Sequence, residues 1–403
     1  MKITDSTRTL QEHISKCLPL LVKNTDPERK SWLDTDLQIK AEQGNQGCID
    51  RCQIEVNNSR GALRFSFQTV VEEPGECWVP GHELHKALAE CCSVDTILRL
   101  ESSEIGSFLH IDRAQSCVLA TKHIPYAYYP QHPKGPPSFI IGTRDLLNLA
   151  RRARPFTQPQ EGDRYQYVQI KADRSWVKMV AFDRSSVVTV RAPLDTGIVP
   201  ATPMNIWMHH DALATLLKVS ECSTPLPPEC GVTQVDAYTE FRFGNDLSIW
   251  APAPQEHPPD VEKYTMWGDP PDGVIVSRAD IIKAVRKIKE ESKDKKDGAT
   301  RLEVNDTFLD IFDPKNAEPR ARVPILSMPD DMQGKKAIFA TKYLLRGLQS
   351  TKLAKVSLHF VTRQVALTLS GLRSVSDDRP LTIKEMRKDG AELFVARLMP
   401  RIY

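Results

Sequence analysis

The sequence predicts an α+β chain built from three tandem copies of one unit of about 130 residues. Three observations carry that expectation. Amphipathic helices recur in two registers, each later helix is followed by alternating strands, and Pro-rich seams separate the copies.

The first helical set is "RTLQEHISKCLPLLVK" from 8, "TRDLLNLARRARPF" from 143 and "SRADIIKAVRKIKEES" from 277, starting about 134 residues apart. Each begins near a Thr or Ser able to cap it. The second set is "PGHELHKALAE" from 80, "HHDALATLLKVS" from 209 and "ATKYLLRGLQS" from 340. Strands follow each of these: "DTILRLE" and "SFLHID", then "GVTQVDAYTEFRF" and "DLSIW", then "AKVSLHFV" and "QVALTLS". The seams, "PQHPKGPPS" at 130–138 and "APAPQEHPPDVEKYTMWGDPPDG" at 251–273, cannot sustain a helix or central strand. The expected domains are 1–133, 138–255 and 272–403.

Composition narrows the class. At 40% hydrophobic and 26% charged, the 403-residue chain is globular. It lacks any apolar run of about 18 residues, and its first residues lack an apolar signal region, so a cytoplasmic protein is expected. Seven of the nine cysteines (Cys17, Cys48, Cys52, Cys77, Cys91, Cys92, Cys117) fall in the first third without a C-x-x-C pair, which suits reduced thiols rather than a zinc site. A net charge of only +2 means that an anionic partner would be met by local patches.

Such patches are expected on the helices. In the third copy Ile281, Val285 and Ile288 form an inward stripe, leaving Lys283, Arg286, Lys287 and Glu290 outside. In the second, Leu146, Leu147 and Ala150 face in; Asn148, Arg151 and Arg152 face out, with Arg154 just beyond. Lys86, Lys218, Lys342 and Arg346 take solvent-side positions on the later helices. Recurring basic faces on equivalent helices suit a phosphate backbone, and without interleaved aromatics they imply contact that is indifferent to sequence. For any one helix, a solvated surface explains the same residues.

No catalytic set emerges. Phosphate-loop, dinucleotide and nucleophile-elbow motifs are absent. His82 and His85 in "GHELH" have the wrong spacing for a zincin and read as helix surface; His209 and His210 read as part of a helix start. Asp34 and Asp36 have a spacing common on a strand or turn, and Asp330 with Asp331 beside Pro329 reads as a loop. No enzyme activity, metal or cofactor is expected.

The stretches "EPGECWVPGHELHKAL", "FIIGTRDLLNLARRARPF", "RYQYVQI" with "VAFDRSSVVTVRAPL", "IFATKYLLRGL" with Tyr343 in place, and the terminal "LMPRIY" together resemble the bacterial replicative sliding clamp, the beta subunit of DNA polymerase III. The chain departs from that pattern in three places. Phe182, Asp183, Arg184, Ser185, Ser186 and Val187 stand where the family usually has Thr-Asp-Gly-His-Arg-Leu. Arg401, Ile402 and Tyr403 follow Met399-Pro400. Charged "EESKDKKDG" replaces a more apolar stretch near the family's subunit interface.

The resemblance implies antiparallel sheets outside, two helices per domain inside, and two chains closing a six-domain ring around duplex DNA. An edge around Cys117, Val118 and Leu119 would meet the third domain of the second copy. DNA would meet Arg29, Lys30, Arg151, Arg152, Arg154, Lys218, Lys283, Arg286, Lys287, Lys342 and Arg346. A DNA polymerase and a clamp loader would dock short peptides between the second and third domains. That pocket would be lined by Tyr167, Phe182, Val187, Pro259, Tyr264 and Tyr343. Ser185 and Ser186 would join them, as would Met399, Pro400, Ile402 and Tyr403 of the tail, with Arg184 and Arg401 for polar groups. Two rivals stay open: a DNA-binding or scaffold protein of the same fold that forms no ring, and a nuclease.

Overall fold

The computed structural model describes residues 1–21, 36–44, 49–58, 60–91, 97–103, 106–111, 115–119, 133, 135–157, 164–183, 186–194, 197–221, 225–235, 237–254, 273–291, 298–360, 381–386 and 392–398. Among them are six α-helices, matching the two expected helical sets. Of the expected strands, "QVALTLS" lies outside the described residues, as does most of the second Pro-rich seam.

The first third runs β1 (Lys2–Ser6), α1 (Thr7–Cys17), β2 (Asp36–Glu42), β3 (Arg51–Asn58), β4 (Gly61–Gln68), β5 (Val70–Glu73), β6 (Gly75–Pro80), α2 (Gly81–Cys91), β7 (Ile97–Ser103), β8 (Gly106–Ile111) and β9 (Gln115–Leu119). The second runs β10 (Phe139–Gly142), α3 (Thr143–Ala153), β11 (Tyr167–Ala172), β12 (Trp176–Phe182), β13 (Ser186–Pro193), β14 (Met204–His209), α4 (His210–Val219), β15 (Glu229–Val235), β16 (Tyr238–Phe243) and β17 (Leu247–Pro252). The third runs β18 (Val274–Ser277), α5 (Arg278–Glu291), β19 (Ala299–Val304), β20 (Phe308–Phe312), β21 (Ala321–Ser327), β22 (Lys336–Ala340), α6 (Thr341–Ser350), β23 (Lys355–His359), β24 (Leu381–Met386) and β25 (Glu392–Leu398).

Strand order exposes the repeat. One four-stranded ladder recurs as β1-β7-β8-β9, β10-β15-β16-β17 and β18-β23-β24-β25. A second recurs as β4-β3-β2-β6, β13-β12-β11-β14 and β21-β20-β19-β22. Neighbouring thirds are sewn together by antiparallel strands. β17 pairs with β4, from Leu247 opposite Phe65 to Trp250 opposite Ala62. β25 pairs with β13, from Leu398 opposite Ser186 to Phe394 opposite Val190. At the first join Gly61 permits close approach, since a Cβ there would lie 3.1 Å from the Trp250 carbonyl oxygen.

By internal contacts the chain divides into two compact units. The first holds Met1–Arg151, Gln169–Val177 and Pro193–His257; the second holds Arg152–Val168, Lys178–Ala192 and Pro258–Tyr403. In the first, α1 packs on α2 and α4. Ser6 caps α1, its Oγ accepting from Thr9 N at 3.1 Å, and the helix buries Leu10, Ile14 and Cys17. It stops at Cys17, ahead of Pro19, sooner than the apolar pattern suggests. In the second unit α5 packs on α6. The Ile281, Val285 and Ile288 stripe is 0–2% exposed, and each such side chain contributes ~1.5–3 kcal/mol of burial before entropy is charged. No described helix is long and apolar enough to cross a membrane.

Candidate nucleic-acid interface and pocket

The apolar stripe of α5 turns Lys283, Arg286 and Lys287 outward, and all three are exposed. Lys287 Nζ approaches Glu291 at 3.9 Å. Lys283 and Arg286 have no carboxylate partner among the described residues. An open groove of about 1010 Å³ runs between α5 and β21. It is lined by these three cations, by Arg278 and Arg322, by Asp280 and Glu290, and by Ile282, Val323 and Pro324. Arg278 is turned onto the last turn of α6. Its guanidinium donates to Leu348 O at 3.1 Å, Gln349 O at 3.1 Å and Thr351 Oγ1 at 3.0 Å, satisfying carbonyls that a helix end leaves open.

Arg151 of α3 is exposed and donates to Ser220 Oγ at 3.2 Å. Arg154, in the 3₁₀ turn Arg154–Phe156 that ends this helix, is exposed too. Arg152 corrects the expectation of an outward face: it is 5% exposed. Leu149, three residues earlier, is fully buried, so the apolar stripe is wider than expected and carries Arg152 inward. Its Nε donates to Ser350 O at 2.9 Å, so α6 receives guanidinium bonds at its C-terminus from both Arg152 and Arg278.

Lys86 and Lys218 are turned to solvent and pair with Glu90 at 3.6 Å and Glu221 at 3.1 Å. Lys342 is exposed. Arg346 is the second correction, because its guanidinium points inward to Asp183 rather than to open solvent. Arg29 and Lys30 lie outside the described residues.

Arg346 leads to the expected pocket. Its Nη1 donates to Asp183 Oδ2 at 2.5 Å; the two side chains are 29% and 1% exposed. Asp183 sits between β12 and β13, where its N–H donates to Ser186 O at 2.9 Å and its Oδ1 accepts from Ser186 Oγ at 2.8 Å. The Arg346 guanidinium lies 5.7 Å from the Phe156 ring centroid and 5.1 Å from that of Tyr343. Lys342 Nζ lies 4.9 Å from the Tyr343 centroid. Two cations therefore attend one half-buried aromatic ring.

Phe182 is 1% exposed and meets Tyr165 edge-on at 5.5 Å, which makes it a core residue rather than an open pocket wall. Ser186 is buried; Tyr167 and Val187 are half-buried. Arg184, Ser185, Pro259, Tyr264, Met399, Pro400, Arg401, Ile402 and Tyr403 lie outside the described residues. Leu398, which precedes that tail, stands opposite Ser186 in the β25–β13 register.

The histidine reading for α4 is met in part: His209, not His210, is the cap, its Nδ1 accepting from Asp211 N at 3.1 Å. Burial, then the charges of Arg60 and His210, bring His209 down to about 3. Cys17, Cys52, Cys77 and Cys230 are free thiols in the core, with burial pushing Cys17, Cys52 and Cys230 up. No cluster of three or more His, Cys, Asp or Glu among the described residues is placed to hold a metal ion.

Known structures place this architecture. Over its whole length the chain superposes on the DNA polymerase III beta subunit of Thermotoga maritima with a TM-score of 0.78 at 14% identity, covering 99% of that chain. Against the DNA polymerase beta subunit of Streptococcus pyogenes the TM-score is 0.76 at 15% identity, with both chains fully covered. Against the Pseudomonas aeruginosa sliding clamp bound to griselimycin it is 0.73 at 16%, again with full coverage. No protein-family profile and no curated protein matches the sequence. The fold is therefore that of the sliding clamps. The particular architecture is that of the bacterial beta subunits, held at an identity that shows the fold alone.

Proposed function

We propose that the chain is a DNA sliding clamp, a processivity factor that closes around duplex DNA as a head-to-tail homodimer. It tethers a DNA polymerase and a clamp loader through short peptides. The reading makes 1–133, 138–255 and 272–403 the three clamp domains and needs no catalytic group, metal or cofactor. A cytoplasmic location follows from that role.

The observation that carries it is the repeated strand join. β17 meets β4 and β25 meets β13, so the last strand of each later third pairs with the third before it. β9, the corresponding last strand of the first third, ends its sheet. Residues Ala321–Pro324 of β21, the counterpart of β4 in strand order, pair with β20 on one side only among the described residues. Joining β9 of one copy to β21 of another uses both edges and gives a closed twofold assembly. The groove of α5 and β21 borders that edge, with five cations against two acids. Exposed Glu83 and Glu90 of α2 are acids of the first third that suit it.

Sliding needs weak contact that ignores sequence. Arg151, Arg154, Lys283, Arg286 and Lys287, with Lys218 in support, supply long cations in place of base-reading groups. Arg152 drops out of this set, since its guanidinium is committed to Ser350.

Light scattering at micromolar protein tests closure, with twice the chain mass expected. A monomer at both low and high salt would leave a non-ring DNA-binding protein. Retention on a loaded circular plasmid, with release when the circle is cut, tests encirclement itself.

A further inference from the structure

We propose that Lys342 and Arg346 belong to the partner-peptide pocket rather than to the DNA face, and that they select peptides carrying a carboxylate beside the hydrophobic anchor. This rests on the clamp reading, and deepens it.

The two cations share one surface, the Tyr343 ring, at 4.9 and 5.1 Å from its centroid. Arg346 is not free to swing toward a distant phosphate. Buried Asp183 holds one edge of its guanidinium, and Phe156 and Tyr343 pack against it. Arg offers five N–H donors in a flat fork, and Asp183 engages Nη1, which leaves donors at a side chain that is 29% exposed. Lys342 is exposed and has no acidic partner among the described residues.

The charge count favours an acidic ligand. Lys342 and Arg346 contribute two positive charges, and Asp183 returns one. The half-buried Tyr343 ring between these cations offers apolar surface to an anchor side chain. A carboxylate one or two residues from that anchor would fall within reach of both. Phosphate is the other anion of that chemistry, and the DNA face is where it would come from.

Two labelled hexapeptides test the assignment. Both carry Leu and Phe anchors two residues apart, with Asp between them in one and Asn in the other. Fluorescence anisotropy on the full chain should show the Asp peptide binding about tenfold tighter, ~1.4 kcal/mol. In K342A that preference should shrink to threefold or less, while affinity for a labelled 30-base-pair duplex stays within twofold. K342E should invert the preference. Equal binding of the two peptides to wild type would overturn the inference and leave the pocket standing. Binding of neither would overturn the pocket as well. Weakened duplex binding by K342A with unchanged peptide preference would return Lys342 to the DNA face.

Discussion

Separating Asp183 from Arg346 should be costly, and costlier from one side. Asp183 has a 1% exposed side chain whose oxygens accept from Arg346 and Ser186. R346A takes the cation away from a buried carboxylate and also removes packing from Phe156 and Tyr343. Removing one partner of a buried pair costs ~3–5 kcal/mol, and R346A should fall in that range. D183A leaves a guanidinium that is 29% exposed and can take up water, so about 2 kcal/mol is expected, part of it the lost Ser186 bond. Exposed pairs couple by only ~0.2–1 kcal/mol and this pair is half shielded, so a double-mutant cycle should give about 2 kcal/mol. Urea unfolding followed by circular dichroism measures all four corners. A D183A loss as large as that of R346A, or a coupling below ~0.5 kcal/mol, would refute a buried carboxylate that depends on Arg346.

Replacing Arg154, Lys283 or Arg286 with Ala should weaken duplex binding equally on unrelated sequences and reduce the salt slope by about 1 each. R152A should instead leave that slope alone and lower the melting temperature; the reverse result would restore Arg152 to the DNA face. His209 is neutral in the fold with its pKa brought down to about 3, so its contribution is complete above the ordinary value of 6.5 and is lost as pH falls. H209N keeps a capping side chain, so relative to wild type it should gain up to ~1.4 kcal/mol per pH unit below 6.5, read as melting temperatures at pH 7 and 4.5. Deleting Arg401–Tyr403 should cut peptide binding at least tenfold, ~1.4 kcal/mol, with the melting temperature almost unmoved. A large thermal loss would make the tail part of the core.

Helix period made most of the architecture legible. The α5 stripe of Ile281, Val285 and Ile288 is buried where the spacing puts it, and all six helices sit where the repeat requires. A helical wheel misplaces Arg152 because it assigns charge to water without knowing what lies across the interface; the carbonyl of Ser350, 198 residues on, accepts from its guanidinium. The Asp183–Arg346 pair spans 163 residues and leaves no periodic trace. A local signal did exist for one half of it. Asp followed by Ser three residues later is turn chemistry, and "FDRSS" uses it to close β12 onto β13. Arg346 lies three residues past Tyr343 and so shares its helix face, a spacing that associates this cation with the pocket aromatic.

The strand joins are unequal, and the inequality bears on how a ring would open. A buried polar row crosses the β4–β17 join. Glu55 accepts from Arg64, Arg64 stands opposite Ser248, and Ser248 Oγ donates at 2.8 Å to Glu240, which also accepts from Arg242 at 2.7 Å. Glu55 and Glu240 are 5% and 1% exposed, and a one-residue slip at the join would move Arg64 off Ser248 and break the row in the middle. On β21 of the proposed closing edge, Arg322 pairs with buried Asp310 at 3.3 Å but is itself more exposed than Arg64, and Pro324 lacks an N–H to offer an incoming strand. β9 brings only five residues to it. The internal joins are also held by the covalent chain, whereas closure obeys mass action. Opening should therefore occur at β9–β21 while β4–β17 and β13–β25 stay paired. Dilution should release folded monomers well before any loss of β-sheet circular dichroism, and a chain that loses sheet content as it dissociates would show that closure, not the internal joins, holds the fold together.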